Sequence, residues 1–574
     1  MQRSPLDSSA RLIWYAVATV LAVFTYFYAL DSQYAPRNGD EDPYAHITRL
    51  TADSGAWLPL QSNLDGMRNT KPPLLFWQGI ASTQWGQEWT LWNLRYPSVL
   101  YTLATALLVF ALVSKLSQRL ETGFVALLTF LAFFTTYRFG RPFLVNPPEV
   151  FWFFLPFFTL LYWRPLSFDS RLLVPLVVGV EIGIGLLYKS FALVAPVGLG
   201  LAWWYWHHRE YRVIEFVRRD AWKVALSASV ALLIFASWFA LDPDPQAVWR
   251  EFVVGENAGK FGAQGGYWST LLWGDNSVWT MVLGYPFNAG VLAFPVAALF
   301  VLAWQRRAQL SDAEKMLWSW LLILLVVFSV PTQRSTRYLL EAMPSLAILV
   351  ALSWERITRK AFVATLIAVG LMLALLVFLS LRLQHELGAN APYTAWYWLL
   401  IGVAAAVVIG GVVVSRWTRP VVNVAALLVL LCLAAFLRPF DGVLGTYDAA
   451  LVANLKGKPV WLPCNFRAKD ETYRFILAGV QVHGYAEDSA LTATTLAQRY
   501  RVFAFRMPLQ ATPQCEQCTV LGERYVIRSR HRSDEIKAML RGDVLQHLFA
   551  KEVLFEVPTM TTDHAPGAVV DGCR

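Results

Sequence analysis

Asn38-Gly39-Asp40-Glu41-Asp42-Pro43-Tyr44-Ala45-His46-Ile47, then Trp57-Leu58-Pro59, then Lys71-Pro72-Pro73-Leu74-Leu75-Phe76-Trp77, make up the first long polar segment of the chain. It begins where an apolar run of spanning length, residues 12–30, ends, and it stops before the next apolar run at residues 93–113. An acidic cluster at a helix start and a lysine in a proline-rich turn therefore sit between two membrane spans. That placement decides the fold class, because a polar segment held between spans belongs to a polytopic membrane protein.

Composition agrees. The chain has 574 residues, of which 56% are hydrophobic and only 16% charged, far from the balance of a soluble domain. The 25 Trp and 22 Tyr fit interfacial belts, as at Trp203-Trp204-Tyr205-Trp206. A formal charge of +9 could point to nucleic acid, but the basic residues fall in short loops between spans, which excludes that partner. Residues 12–30 follow a short basic start (Arg3, Arg11) and lack a small-x-small cleavage site, so they read as a retained anchor.

Further apolar segments lie near 122–137, 150–163, 172–188, 191–206, 223–241, 286–304, 316–331, 338–353, 362–381, 396–414 and 421–437. With the first two they predict about thirteen spans. With the N-terminus inside, every cytoplasmic loop is basic, from Lys115 and Arg119 to Arg416 and Arg419, as the positive-inside rule requires. An odd count leaves the C-terminal segment outside. The expected domains are residues 1–441, a transmembrane catalytic domain whose first outer loop is 32–91, and residues 442–574, a small α/β domain.

In that second domain, residues 459–462, 500–505 and 524–527 read as strands, and 533–549 as a helix capped by Ser533. It holds Cys464, Cys515, Cys518 and Cys573, an even number that fits one or two disulfides, with metal or redox chemistry at Cys515-x-x-Cys518 as the alternative. Cys432 lies in a span and reads as inert. The glycines Gly198, Gly200, Gly410 and Gly411 read as helix-packing positions. No internal repeat or glycine-rich phosphate loop is visible.

Residues 38–55 read as a short helix, too short and polar to span, lying on the outer face with Tyr44, Ile47 and Leu50 at helical spacing. Asp40, Glu41 and Asp42 then have two readings. They could simply place negative charge at a helix N-terminus, or Asp40 could be a catalytic base. Other outward positions favour the second. Arg138, Arg141, Asn146 and Glu149 share the next outer loop, and Lys189 sits in a tight turn between two apolar helices. Glu256, Lys260 and Tyr267 lie in the long loop after the seventh span, and Arg334 and Arg337 precede Tyr338. Each cation alone could snorkel to the interface. Together they oppose the positive-inside bias and share a side with Asp40, as a pocket for an anionic lipid headgroup would.

These motifs resemble the GT-C class of lipid-linked-sugar glycosyltransferases. The chain is most similar to the bacterial 4-amino-4-deoxy-L-arabinose–lipid A transferase family and its protein-mannosyltransferase relatives. The matching pieces are Asp40-Glu41 with Tyr44-Ala45, Lys71 to Trp77, Arg95-Tyr96-Pro97-Ser98, Lys189-Ser190 and Arg337-Tyr338-Leu339-Leu340. One position departs: the family's Leu-Asp-Pro reads Val145-Asn146-Pro147 here, and Asn cannot act as a carboxylate base.

The resemblance implies a polytopic GT-C fold and transfer of a sugar, aminoarabinose in the nearest family, from undecaprenyl phosphate to lipid A or another glycan, lipid or protein acceptor. It implies Asp40 as base, with Glu41 as alternative if the register differs by one. Lys71, Lys189, Arg334, Arg337 and Tyr338 would hold the donor phosphate. Tyr44, Arg141, Asn146, Glu149, Glu256 and Lys260 would line the pocket or meet the acceptor. No metal or other cofactor is expected, and a monomer is the default. A transporter would place its ionisable residues near mid-membrane in broken or repeated helices; here they cluster at outer helix ends. A non-catalytic assembly protein would not need Asp40.

Overall fold

Apolar helices dominate the computed structural model, which describes all residues except 1–7, 258–266, 274–276, 333, 389–391, 443, 465–467, 488–490, 529–530 and 561–574. All thirteen expected apolar segments contain helix. Among the described residues, seven helices are long and apolar enough to cross a membrane, Leu91–Ser117, Arg359–Leu387 and Thr418–Phe440 among them. The others are shorter or interrupted, such as Leu120–Ala132, Leu173–Leu186 and the Pro156-bearing Asn146–Tyr162. Side chains such as Leu233, Leu371 and Val413 stay exposed on the spans, as lipid-facing positions would. Gly200 and Gly411 do serve packing: a Cβ would come within 2.8 Å of Phe157 at the first and 2.6 Å of Val421 at the second. Gly198 and Gly410 face open space, so the packing expectation fails there.

The polar segment folds as a short helix, Glu41–Asp53, here called the loop helix, and a second, Leu74–Ser82. The loop helix does not lie on an open face as expected. Ten of its thirteen residues are buried, because other elements cover it on several sides.

Toward the C-terminus the chain forms a five-stranded mixed sheet in the order β2-β1-β3-β5-β4. The strands are β1 (Pro459–Pro463), β2 (Gln481–Tyr485), β3 (Val502–Met507), β4 (Thr519–Ile527) and β5 (Phe549–Glu556). β1 pairs in parallel with β2 and β3; β5 runs antiparallel between β3 and β4. β2 and β5 escape the sequence reading. The expected helix 533–549 is two pieces, Ser533–Arg541 and Val544–Leu548, broken at Gly542, whose φ of 121° side chains rarely adopt. Its cap is Arg532, not Ser533. Cys515 and Cys518 are disulfide-bonded to each other and Cys464 is disulfide-bonded as well, so Cys515-x-x-Cys518 is not a metal clasp here. Cys432 is buried, and Cys573 lies outside the described residues.

A helix of this C-terminal region, Asp470–Ile476, here called the docking helix, packs on the loop helix. Glu471 meets His46 at 3.0 Å and Arg49 at 2.6 Å, and Thr472 donates to Asp42 at 3.0 Å. Asp42, His46 and Arg49 are spaced i, i+4, i+7, so one face of the loop helix is given to this contact. Phe475 stacks on Trp89, 6.0 Å between centroids.

Candidate active site

The opposite side of the loop helix opens on a cavity of about 290 Å³. Asp40 occupies the N-cap position of the helix, yet its side chain makes no capping hydrogen bond. Instead Arg337 donates to its Oδ2 at 2.6 Å, and 47% of the Asp40 side chain stays exposed, open to a reacting group. Asp40 thus places its charge at the helix N-terminus without bonding the helix amides. Arg337 also donates to the Asn146 side-chain oxygen at 2.9 Å, so one guanidinium bridges the loop helix and the start of Asn146–Tyr162.

Lys71 reaches Glu256 at 2.6 Å and the Thr70 carbonyl at 3.0 Å. Two prolines follow it, and the next amide, of Leu74, donates to the Leu187 carbonyl, which ties this turn to the one bearing Lys189. Lys189 meets Glu149 at 2.6 Å and Glu341 at 3.5 Å, both fully buried, and stands 5.6 Å above the Tyr338 ring. Burial opposes the ammonium, but Glu149 and Glu341 outweigh it, so the Lys189 pKa is raised and the charge is kept. Tyr44 lies beside Asp40; burial first, then that carboxylate, push its phenol far up, so it stays a neutral hydrogen-bonding group.

The cavity thus gathers Asp40, Tyr44, Lys71, Lys189, Glu256, Arg337 and Tyr338 from distant parts of the chain. Asn146 and Glu149 stand behind it as partners of Arg337 and Lys189.

Three expected residues are elsewhere. Glu41 is buried, with both carboxylate oxygens held by Arg95 at 2.6 and 2.7 Å and one also by the Phe143 amide. Three donors hold it, buried, away from the Asp40 cavity, which removes it as an alternative base. Arg141 is buried against the Tyr26 and Tyr28 carbonyls and 4.4 Å from the Tyr137 ring, so it braces the first span. Arg334 donates to the Ser329 and Thr270 carbonyls and is not among the cavity-lining residues. Lys260 lies outside the described residues.

Glu341 was not anticipated. A carboxylate inside the apolar segment 338–353 was the available signal, since such a residue needs a cation. Chemically, the cavity offers the cations of Lys71, Lys189 and Arg337 around the half-open Asp40 carboxylate, with Glu256 paired to Lys71. It can neutralise a phosphate while a base accepts a proton.

The fold is that of a multi-pass α-helical membrane protein with a C-terminal mixed sheet. Its relatives can be named. Residues 13–249 match the family of dolichyl-phosphate-mannose-protein mannosyltransferases. The chain is 26% identical over 346 residues to the undecaprenyl phosphate-alpha-4-amino-4-deoxy-L-arabinose arabinosyl transferase 1 of Sodalis glossinidius, an alignment covering 59% of this chain and 58% of that one. It is 24% identical over 412 residues to the corresponding transferase 2 of Proteus mirabilis, covering 70% and 71%. Among solved structures it superposes on ArnT from Cupriavidus metallidurans bound to undecaprenyl phosphate. The TM-score is 0.62 at 16% identity, over 98% of this chain and 100% of that one. The same protein in its apo state gives 0.57. These matches agree with the resemblance carried by the loop motifs, and the fold agrees with the expected helical membrane protein bearing a C-terminal sheet.

Proposed function

We propose that the protein transfers a monosaccharide from a polyprenyl phosphate, undecaprenyl phosphate in a bacterium, to an acceptor at the outer face of the inner membrane. Residues 1–441 carry the reaction and residues 442–574 stand outside the membrane. The observation that carries this reading is Asp40: it is half-open, uncapped and held by Arg337 in a cavity with Lys71 and Lys189. As the acceptor oxygen attacks the anomeric carbon, Asp40 accepts its proton. The bond from that carbon to the phosphate oxygen breaks, and Lys71, Lys189 and Arg337 take up the charge left on the phosphate. One displacement inverts the anomeric centre. Lys71 is the cation best placed to change partner, exchanging Glu256 for phosphate.

Aminoarabinose and lipid A are the first choice of sugar and acceptor, supported by the relatives' printed activity. A second reading keeps the chemistry and changes the sugar or acceptor to another envelope glycan, lipid or protein. Asn146 favours it: where the family resemblance expects a carboxylate, a neutral amide accepts from Arg337. The test is transfer in membranes from a panel of undecaprenyl-phosphate sugars, comparing the natural chain with Asp40→Asn. The expected result is a fall of roughly 10²–10⁴-fold. The acceptor that loses label decides between the two readings. Full activity of the variant would remove Asp40 as base.

A further inference from the structure

A second polar cavity, of about 130 Å³, opens between the first loop and the C-terminal domain. It is well above the ~10–15 Å³ that holds one water. Four cations line it: Arg37 from the loop, only three residues before Asp40, and Lys469, Arg506 and Arg524 from the C-terminal domain. Ile476 and Ile527 form an apolar wall. Among the described residues, three carboxylates pair with these four cations. Glu552 is shared by two guanidiniums, Arg524 at 2.7 Å and Arg506 at 2.9 Å, and also accepts from Tyr447 and Tyr473. Glu487 meets Arg506 at 3.4 Å and is partly exposed. Asp42 is the remaining partner of both Arg37, at 3.3 Å, and Lys469, at 3.8 Å, both long for ion pairs. Burial also pushes the Asp42 carboxyl up to about 6, so its own negative charge is weakly held.

We propose that this cavity is a binding site for a phosphate group borne on a lipid, with Arg37 and Lys469 as its movable donors. Arg506 and Arg524 are fixed by Glu552 and supply the steady positive field. Among the described residues, Arg37 and Lys469 are held by Asp42 and by the Thr472 hydroxyl, the latter at 3.1 and 3.5 Å. An entering phosphate offers both a stronger acceptor than Asp42 does. The apolar wall gives the adjoining lipid a surface that free phosphate cannot use. On the transfer reaction proposed above, on which this last assignment rests, the phosphate held here belongs to the acceptor lipid, placed beside the loop that carries Asp40.

The test is binding, not transfer. The full chain is reconstituted in nanodiscs of phosphatidylcholine alone or doped with phosphatidic acid, and retained lipid is read by native mass spectrometry with inorganic phosphate as competitor. Retention of phosphatidic acid is expected, falling roughly tenfold in the paired Arg37→Gln, Lys469→Gln variant and weakening with salt. Asp42→Asn removes the competing carboxylate and is expected to raise retention, which keeps the idea exposed even where the paired variant does not fold. Displacement only by a large excess of inorganic phosphate identifies the source as lipid; displacement at matching concentration identifies it as the free ion. Retention unchanged in both variants, or no saturable binding of either probe, overturns the site. Asp40→Asn is expected to bind as the natural chain does, so failure of the transfer reaction and failure of this site remain distinct.

Discussion

Two adjacent carboxylates, Asp40 and Glu41, have opposite surroundings, and that contrast is testable. Glu41 is sealed with Arg95 in a pair that also holds the Leu30 and Ser32 carbonyls. Removing one member of such a pair leaves the other charged and buried. Arg95→Met is therefore expected to cost about 3–5 kcal/mol of stability, read by unfolding in detergent. Asp40→Asn, at a half-open position, loses one ion pair with Arg337 and is expected to change stability by under about 1 kcal/mol while removing transfer. A loss of fold in both would make Asp40 structural after all. Lys71 gives a second contrast of sign. Lys71→Met removes a phosphate partner and is expected to weaken binding of undecaprenyl phosphate. Glu256→Gln takes an anion away from Lys71 and is expected to strengthen it. Equilibrium binding to the two variants checks both, and movement in the same direction would sink the exchange of Glu256 for phosphate.

At the scale of elements, the loop helix is held through a pH-sensitive seam with the docking helix. Although burial opposes it, His46 and Arg49 hold the Glu471 carboxyl down at about 2, against an ordinary 4.5. A depressed folded pKa stabilises above the unfolded value, so this support is present above about 4.5 and is lost as pH falls toward 2. Asp42 has the opposite sign. Its pKa is raised from 3.8 to about 6 by burial, so its ionised form burdens the folded state above pH 6, and that burden lifts as pH falls toward 3.8. The seam is therefore strongest at about pH 4, where most of the Glu471 support is present and most of the Asp42 burden has lifted. Glu471→Gln is expected to flatten the acid limb of the stability profile. Asp42→Asn is expected to flatten the neutral limb, by at most about 3 kcal/mol. Denaturant unfolding against pH tests this, and an Asp42→Asn chain less stable at pH 7 than the natural one would refute it. None of this seam was legible in the sequence. Asp42, His46 and Arg49 read as a polar helix face, which they are, but the element covering that face comes more than 400 residues later. The helix itself, the Lys71 turn and the Lys189 turn were legible, because each is a local break between apolar runs. β2 and β5 were not, since their partners rather than their composition make them strands.

At the scale of the whole molecule, the orientation proposed for the chain in the membrane rests on charge. Loops such as the one from Arg209 to Lys223, with five Lys and Arg, are rich in basic residues, and translocating them is disfavoured relative to leaving them inside. The Cys515–Cys518 disulfide fits a C-terminal domain in an oxidising compartment on the other side. Two single-cysteine positions read this directly. Glu210 lies in the basic loop with 77% of its side chain exposed, and Lys537 lies on the exposed face of Ser533–Arg541 in the C-terminal domain. With a membrane-impermeant maleimide on intact spheroplasts, Lys537→Cys is expected to label at once and Glu210→Cys only after lysis. The native background is limited by pairing at Cys515 and Cys518 and burial of Cys432. The loop helix is ion-paired to the C-terminal domain through Glu471, so the two must share a side. Labelling of Glu210→Cys in intact spheroplasts would therefore move Asp40 to the cytoplasmic face. A donor and acceptor on that face would then be required, and the outer-face transfer proposed for this cavity would fall.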